Sequence, residues 1–109
     1  GFSQGVAMAY RAAADHVRRG EPCHGVVALS ADVPPEVAAA DLTGFPPVLV
    51  GRGAGEEWYS EEKLAADLAT LAAKGIAARA FRFAGGHEWT DAFRQAAGEF
   101  LAEVFGERP

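Results

Sequence analysis

The sequence predicts an α/β fold in which three parallel strands are flanked by helices. The predicted elements follow the order helix, strand, strand, helix, strand, helix, and the strand segments are mostly continuous apolar runs. A continuous run is typical of a parallel strand that is covered on both faces. The chain of 109 residues has no internal repeat and no linker, so we expect 1–109 to be one domain or part of one.

Three amphipathic helices are predicted, at 5–20, 60–74 and 90–105. Ser60 and Thr90 are good N-caps, and Gly20 and Gly75 are natural stops. The expected apolar faces, in chain order, are Val6, Ala9, Tyr10, Ala13 and Val17; Leu64, Leu68 and Leu71; and Phe93, Ala96 or Ala97, Phe100, Leu101 and Val104.

The strands are predicted at 25–30, 46–51 and 76–83. Arg79 and Arg82 interrupt the third apolar run, which places that strand nearer a sheet edge. We expect 31–43 to be a loop with one or two helical turns beginning near Pro35, and 51–59 to be a loop rich in Gly and Glu.

Charge, hydropathy and cysteine content exclude several classes of function and site. The formal net charge is −5 with both signs interspersed, so no basic face attracts nucleic acid or anionic lipid. No apolar stretch reaches the roughly 20 residues that a membrane span needs. Cys23 is the only cysteine, which excludes an intramolecular disulfide and fits a reducing, cytoplasmic location. Its isolation, and the lack of metal-ligand spacing among the three histidines, imply no metal; no organic cofactor is implied either.

Residues 1–5, GFSQG, match the G-x-S-x-G pattern of a nucleophile elbow. In that motif a serine sits on a tight strand-to-helix turn, and the glycines let the backbone pass without clashes. The predicted helix follows, but the preceding strand would lie before Gly1. Alone, the pattern is more often a turn with an incidental serine.

Two further strand ends carry matching chemistry. Glu56 and Glu57 follow the second predicted strand, and His87 follows the third. The carboxyl ends of parallel strands meet at one edge of a sheet, so we expect these side chains near Ser3. The order serine, acid, histidine is the one found in this architecture.

Each residue has a role in that arrangement. Ser3 would be the nucleophile and His87 the base that takes its proton. A carboxylate would hold the imidazole in the right tautomer, and the Gln4 N–H would donate to the oxyanion.

Simpler interpretations exist for the individual residues. His87 alone could be an ordinary loop histidine, and the adjacent glutamates a solvated pair. Cys23-His24 is a weak thiol–imidazole candidate, because neighbouring residues rarely face each other. Trp58 and Trp89 could line an acyl pocket, although packing on the neighbouring loop is the favoured interpretation.

Taken together, these segments resemble the C-terminal half of the carboxylesterase/phospholipase family of α/β-hydrolases, close to small bacterial esterases. The similarity is carried by GFSQG at 1–5 with Met8, GVVALS at 25–30, GRG at 51–53 with EWY at 57–59, and GGHEW at 85–89. It implies that Ser3 is the nucleophile and His87 the base.

The acid loop departs from the family pattern, which usually has Asp where this sequence has Glu56. Glu56 is preferred as the triad acid by register, with Glu57 as the fallback. Because a glutamate side chain is one methylene longer than an aspartate side chain, the loop that carries Glu56 would have to lie farther from His87 to keep their hydrogen bond.

The family's domain begins with further strands that these residues lack. We therefore expect 1–109 to be its C-terminal part: a proteolysed or partial chain, a chain completed by a partner, or one that self-associates to cover an exposed sheet edge.

The resulting expectation is a serine carboxylic-ester hydrolase, esterase- or phospholipase-like, that uses a Ser3–Glu56–His87 triad and an acyl-enzyme. Its substrate would be a small-molecule ester. The alternative is an inactive fragment with an assembly role, or a small-molecule binding module on the same sheet.

Overall fold

Three parallel strands form one sheet in the order β1-β2-β3 in the computed structural model. Their bounds are Val26–Leu29 for β1, Val48–Gly53 for β2 and Ala78–Phe83 for β3. The structure describes residues 1–106. The predicted fold class is confirmed, and β3 is an edge strand as its arginines indicated.

Within residues 1–106, four helices flank this sheet: α1 (Gln4–Arg18), α2 (Pro35–Ala38), α3 (Glu61–Ala73) and α4 (Asp91–Val104). Ser60 and Thr90 cap α3 and α4 as predicted, because each hydroxyl accepts the N–H of the residue three positions on. Pro35 opens the single turn of α2.

The core has one layer on each face of the sheet. Val48 and Val50 face the layer that includes side chains of α1, α2 and α3, whereas Leu49 faces the layer built by α4. This alternation follows from the period of two along a strand. Phe93, which is fully buried, is the central ring of the α4 layer.

Several predicted details are wrong. β2 runs two residues beyond its predicted end because Arg52 and Gly53 pair with Arg82 and Phe83 of β3. Leu101, expected on the apolar face of α4, is 37% exposed. Asp67 is buried on the inner side of α3, although only apolar residues were expected there.

Within residues 1–106 no strand precedes α1, but residues 1–3 pair with β1. Phe2 forms a parallel bridge with Leu29. The Ser3 N–H donates to the Leu29 carbonyl at 2.8 Å, and the Leu29 N–H donates to the Gly1 carbonyl at 3.0 Å. These residues therefore run along β1 as the end of a strand would, and Ser3 lies between that segment and α1.

Candidate active site

Ser3 occupies a strained turn at the start of α1. Its backbone has φ 55° and ψ −119°, a conformation that non-glycine residues rarely adopt and that costs roughly 1–3 kcal/mol. Such strain is typical of functional sites. The Ser3 N–H is tied to β1, and the Ser3 carbonyl accepts the Val6 N–H at 3.0 Å, so the turn is held from both sides.

The two glycines of the elbow motif differ in what they do. A Cβ on Gly1 would collide with the Gly5 carbonyl and lie 2.8 Å from the Val6 nitrogen. A Cβ on Gly5 would have no atom within 4 Å in the part of the chain that the structure describes. The steric reason given for the motif therefore holds at Gly1 but not at Gly5.

A continuous hydrogen-bonded chain links the three predicted side chains. The Ser3 Oγ lies 2.8 Å from His87 Nε2. On the other side of the ring, His87 Nδ1 lies 2.8 Å from Glu56 Oε1 and 3.0 Å from Oε2. Glu57 is exposed and lies outside this chain.

The environment of Glu56 favours an ionised carboxylate. Its side chain is fully buried, and burial by itself would raise the pKa of the carboxyl. The Ser30 hydroxyl, the His87 ring and the N–H groups of Trp58 and Tyr59 outweigh that effect, so the pKa of Glu56 lies below its ordinary value. The two N–H groups donate to Oε2 at 2.9 and 3.3 Å. The Ser30 hydroxyl itself forms no hydrogen bond of ordinary geometry within residues 1–106, so the two N–H groups and His87 are the contacts that hold the carboxylate.

An ionised carboxylate fixes the tautomer of the ring. A carboxylate can only accept, so His87 Nδ1–H must donate to Glu56, and in the neutral ring Nε2 must accept the Ser3 hydroxyl proton. This is the arrangement that a general base requires.

Backbone hydrogen bonds join the loop that carries Glu56 (the acid loop) to the loop that carries His87 (the histidine loop). The Ala54 N–H donates to the Phe83 carbonyl at 2.7 Å, and the Gly55 N–H donates to the Gly85 carbonyl at 2.8 Å. A Cβ on Gly53 would collide with the carbonyls of both Gly85 and Gly86. Glycine at position 53 thus permits the close approach that holds Glu56 against His87.

Ser3 and His87 open into a surface groove of about 490 Å³ that Gln4, Trp58 and Lys63 also line. The His87 side chain is 30% exposed there. The Gln4 N–H opens α1 and has no hydrogen-bond partner among the described residues, so it is free to donate to a ligand.

The two tryptophans behave differently. Trp58 is 74% exposed and lines the groove, contrary to the favoured expectation that it packs on a loop. Trp89 packs edge-on against the Phe93 ring, with centroids 5.2 Å apart.

Other candidates from the sequence lie outside this chain of hydrogen bonds. The His24 ring packs at a tilt of 30° against the Phe105 ring, with centroids 4.6 Å apart, and Cys23 is partly buried. No group of three or more His, Cys, Asp or Glu residues within 1–106 could hold a metal ion. No helix in that range is long and apolar enough to cross a membrane.

Sequence reasoning missed Arg52, Ser30 and Asp67. A signal existed for one of them, because Asp67 lies at helical spacing between Leu64 and Leu71. Arg52 lies just after the predicted second strand, in a segment expected to be a loop. Ser30 looked like an ordinary strand end, and only its φ of 68° and its burial mark it.

The chain matches no protein-family model and no curated protein sequence. Among solved structures it is similar to a variant of SOBER1 from Arabidopsis thaliana, with 21% identity and a TM-score of 0.72 over 96% of this chain and 51% of that one. It is also similar to acyl-protein thioesterase 2 from Zea mays, with 18% identity and a TM-score of 0.68 over 95% and 54%. The chain therefore spans about half the length of these proteins. Its fold is part of an α/β-hydrolase fold.

Proposed function

We propose that the chain is the C-terminal part of an α/β-hydrolase domain and carries the triad of a serine carboxylic-ester hydrolase. The observation that carries this proposal is the hydrogen-bonded chain from Ser3 through His87 to Glu56, with 2.8 Å at each link. Ser3 lies on a strained turn at a helix N-terminus, which supports a nucleophile there.

The proposed reaction has two halves. Ser3 Oγ attacks the acyl carbonyl while His87 Nε2 takes the hydroxyl proton, and the imidazolium then gives that proton to the leaving oxygen. Water then attacks the acyl-enzyme while His87 takes its proton; the bond between the acyl carbon and Ser3 Oγ breaks, His87 returns the proton to Oγ, and the carboxylic acid leaves. Glu56 stabilises the imidazolium, and the Gln4 N–H donates to the oxyanion. No step needs a metal or an organic cofactor.

The proposed substrates are small-molecule esters with small to medium acyl groups, which fit a groove that the Trp58 ring borders. One fold neighbour is named an acyl-protein thioesterase, so thioesters form a second substrate class to test. A thiolate leaves more readily than an alkoxide, and the same nucleophile would serve both. A phospholipase-like activity stays within the first class.

Two further proposals concern the location of the protein in the cell and its association with other chains. The single cysteine supports a cytoplasmic location. The apolar hollow beside β1, lined by residues of α1 and by Leu101 of α4, supports association with a second copy or with a partner chain that covers it.

Hydrolysis of a chromogenic short-chain ester tests the proposed activity. Ser3→Ala is expected to lower the rate by about 10⁴-fold or more, because it removes the nucleophile. Circular dichroism of both proteins controls for folding. Hydrolysis that survives Ser3→Ala would show that the activity arises elsewhere, and the proposal would be wrong.

A further inference from the structure

Arg52 is a buried cation at the end of β2, next to the proposed active site. Its side chain is only 8% exposed. Its guanidinium donates three hydrogen bonds: Nε to the Tyr59 carbonyl at 2.9 Å, Nη2 to the Glu56 carbonyl at 2.9 Å and Nη1 to Glu61 Oε1 at 3.2 Å. None of the three acceptors belongs to the reacting groups.

These contacts hold both ends of the turn that presents Glu56. Inside the turn, the Glu56 carboxylate accepts the N–H groups of Trp58 and Tyr59. Outside it, Arg52 binds the carbonyls of Glu56 and Tyr59, the first and last residues of that turn. The backbone of the acid residue is thus fixed on one side by Arg52 and on the other by its own side chain.

Arginine suits this position better than lysine. The planar guanidinium directs several N–H groups at fixed angles, so one side chain can bind two carbonyls and a carboxylate at once. Glu61, at the start of α3, balances the charge and also pairs with Arg82 of β3. Through Glu61, Arg52 therefore connects the turn that carries Glu56 to α3 and β3.

We propose that Arg52 is a positioning residue that holds the Glu56 carboxylate in hydrogen-bonding register with His87 Nδ1. The inference rests on the proposed function, since it assigns Arg52 to the triad described above. Arg52 acts through Glu56 and touches neither the nucleophile nor the base.

The experiment is a double-mutant cycle of Arg52→Lys and Glu56→Gln, read out by the rate at which a fluorophosphonate probe labels Ser3. Arg52→Lys is expected to slow labelling by roughly 10- to 100-fold, as small misplacements of a catalytic group do. The midpoint of its pH–rate profile is expected to fall, because a displaced carboxylate stabilises the imidazolium less.

The double variant distinguishes positioning from a structural role. If Arg52 acts through Glu56, adding Arg52→Lys to Glu56→Gln slows labelling little further. Additive losses with an unchanged midpoint would overturn the proposal. Arg79→Lys is the matched control: it makes the same change in a strand arginine that pairs with Glu103, and it should label at the wild-type rate.

A second variant covers a failure of Arg52→Lys to fold. Glu61→Gln removes the carboxylate partner of Arg52 at a half-exposed position and is expected to remain folded while labelling several-fold more slowly. An unfolded Arg52→Lys together with wild-type labelling in Glu61→Gln would mean that Arg52 serves only the fold.

Proton NMR separates this proposal from the proposed function, because it needs no reactivity. A low-field proton signal from His87 Nδ1–H bonded to Glu56 is expected in the wild type and in Arg79→Lys, and is expected to be lost or shifted in Arg52→Lys. Absence of labelling at Ser3 in the wild type would contradict the proposed function alone. Absence of the signal from the wild type, or its retention in Arg52→Lys, would contradict the role of Arg52.

Discussion

At the scale of single residues, Ser3 shows how the turn stores strain for a proposed catalytic role. Its φ of 55° would suit glycine, yet a hydroxyl-bearing residue occupies the position. The hydrogen bonds to β1 and within α1 keep the turn in this conformation. This strain raises the free energy of the folded state, so a substitution that relieves it should increase the free energy of unfolding.

Ser3→Gly is therefore expected to be more stable than Ser3→Ala. Both variants lose the hydroxyl, but only glycine relieves the positive φ, and the difference should be about 1 kcal/mol or more in favour of Ser3→Gly. For a chain of this size that corresponds to a melting temperature higher by about 4 °C or more. Calorimetry of the two variants measures it, and an equal or lower melting temperature for Ser3→Gly would show that the turn is unstrained.

The sequence predicted which residues would meet, but not what supports them. Placement at strand ends pointed to Ser3, His87 and either Glu56 or Glu57, because strand ends share one edge of a parallel sheet, and register in the family resemblance favoured Glu56. Arg52 could not be assigned, because its partners are two backbone carbonyls, which carry no sequence signal. The catalytic roles themselves stay a proposal.

At the scale of elements, the packing of α4 on β2 depends on a glycine. Gly51 faces Phe93, and a Cβ at position 51 would collide with the ring. Phe93 is fully buried, so it has little room to move away. This contact places α4, and with it Thr90 at the end of the histidine loop.

Gly51→Ala is expected to lower the free energy of unfolding by about 1–3 kcal/mol through overpacking. The matched control is Gly98→Ala in α4, where a Cβ meets nothing within 4 Å and should stabilise the helix by up to about 1 kcal/mol. Urea denaturation of both variants tests the pair. Equal effects at the two positions would mean that the Phe93 ring adjusts freely.

The acid loop is also tied to α3 by a buried carboxylate. The Tyr59 hydroxyl donates to Asp67 Oδ2 at 2.6 Å, and the Val33 N–H donates to the same oxygen at 3.3 Å. Burial raises the pKa of Asp67 above its ordinary value, despite the lowering effect of these two donors. Compared with the unfolded chain, the folded state therefore favours the protonated form of Asp67.

The sign of the resulting pH dependence follows from that shift. The contribution of Asp67 to stability is fully present below its unfolded pKa of about 3.9 and is lost as pH rises through the higher folded value. Asp67→Asn does not titrate, so its stability relative to the wild type should increase as pH rises from about 4 and then level off. Melting curves between pH 4 and 8 measure the difference.

Asp41→Asn provides the control for that series. Asp41 is exposed, and its hydrogen bonds from Thr43 hold its pKa below the ordinary value, so its effect has the opposite sign. A difference between Asp67→Asn and wild type that stays constant, or that shrinks with rising pH, would contradict the assignment of Asp67 as a destabilised buried carboxylate.

At the scale of the whole molecule, apolar surface lies beside β1, on the side where residues 1–3 pair with it. A surface hollow of about 330 Å³ lies there between α1 and α4, and Met8 and Leu101 are exposed hydrophobic side chains on those two helices. The hollow is lined largely by small or apolar residues, among them Ala9, Ala13, Val26, Val27 and Leu101. An exposed apolar surface of this kind favours association.

Self-association through this apolar surface between α1 and α4 is expected to appear in sedimentation equilibrium as an average mass that rises with protein concentration. Leu101→Lys should weaken it at least several-fold, because the charge would have to be desolvated at the contact. Ala69→Lys, an equivalent change on the exposed side of α3, should have no effect. A monomer at all concentrations would contradict self-association, and a stoichiometric second protein would indicate a partner instead.

The overall architecture followed from periodicity, whereas boundaries did not. Apolar runs, continuous in the first two strands and interrupted by Arg79 and Arg82 in the third, located β1, β2 and β3, and the caps at Ser60 and Thr90 located two helix starts. The end of β2 was misplaced because pairing with β3, a long-range contact, carries the strand through Arg52 and Gly53. The shared fold with solved α/β-hydrolase-like proteins covers nearly all of this chain but only about half of theirs.

Intact mass spectrometry before and after treatment with a fluorophosphonate serine probe tests whether Ser3 is a nucleophile. We expect a single adduct that maps to Ser3 and is absent from Ser3→Ala, because Ser3, His87 and the Gln4 N–H line one groove. A folded wild-type protein that forms no adduct, or an adduct that maps to another serine, would contradict it and favour an inactive fragment with a binding or assembly role.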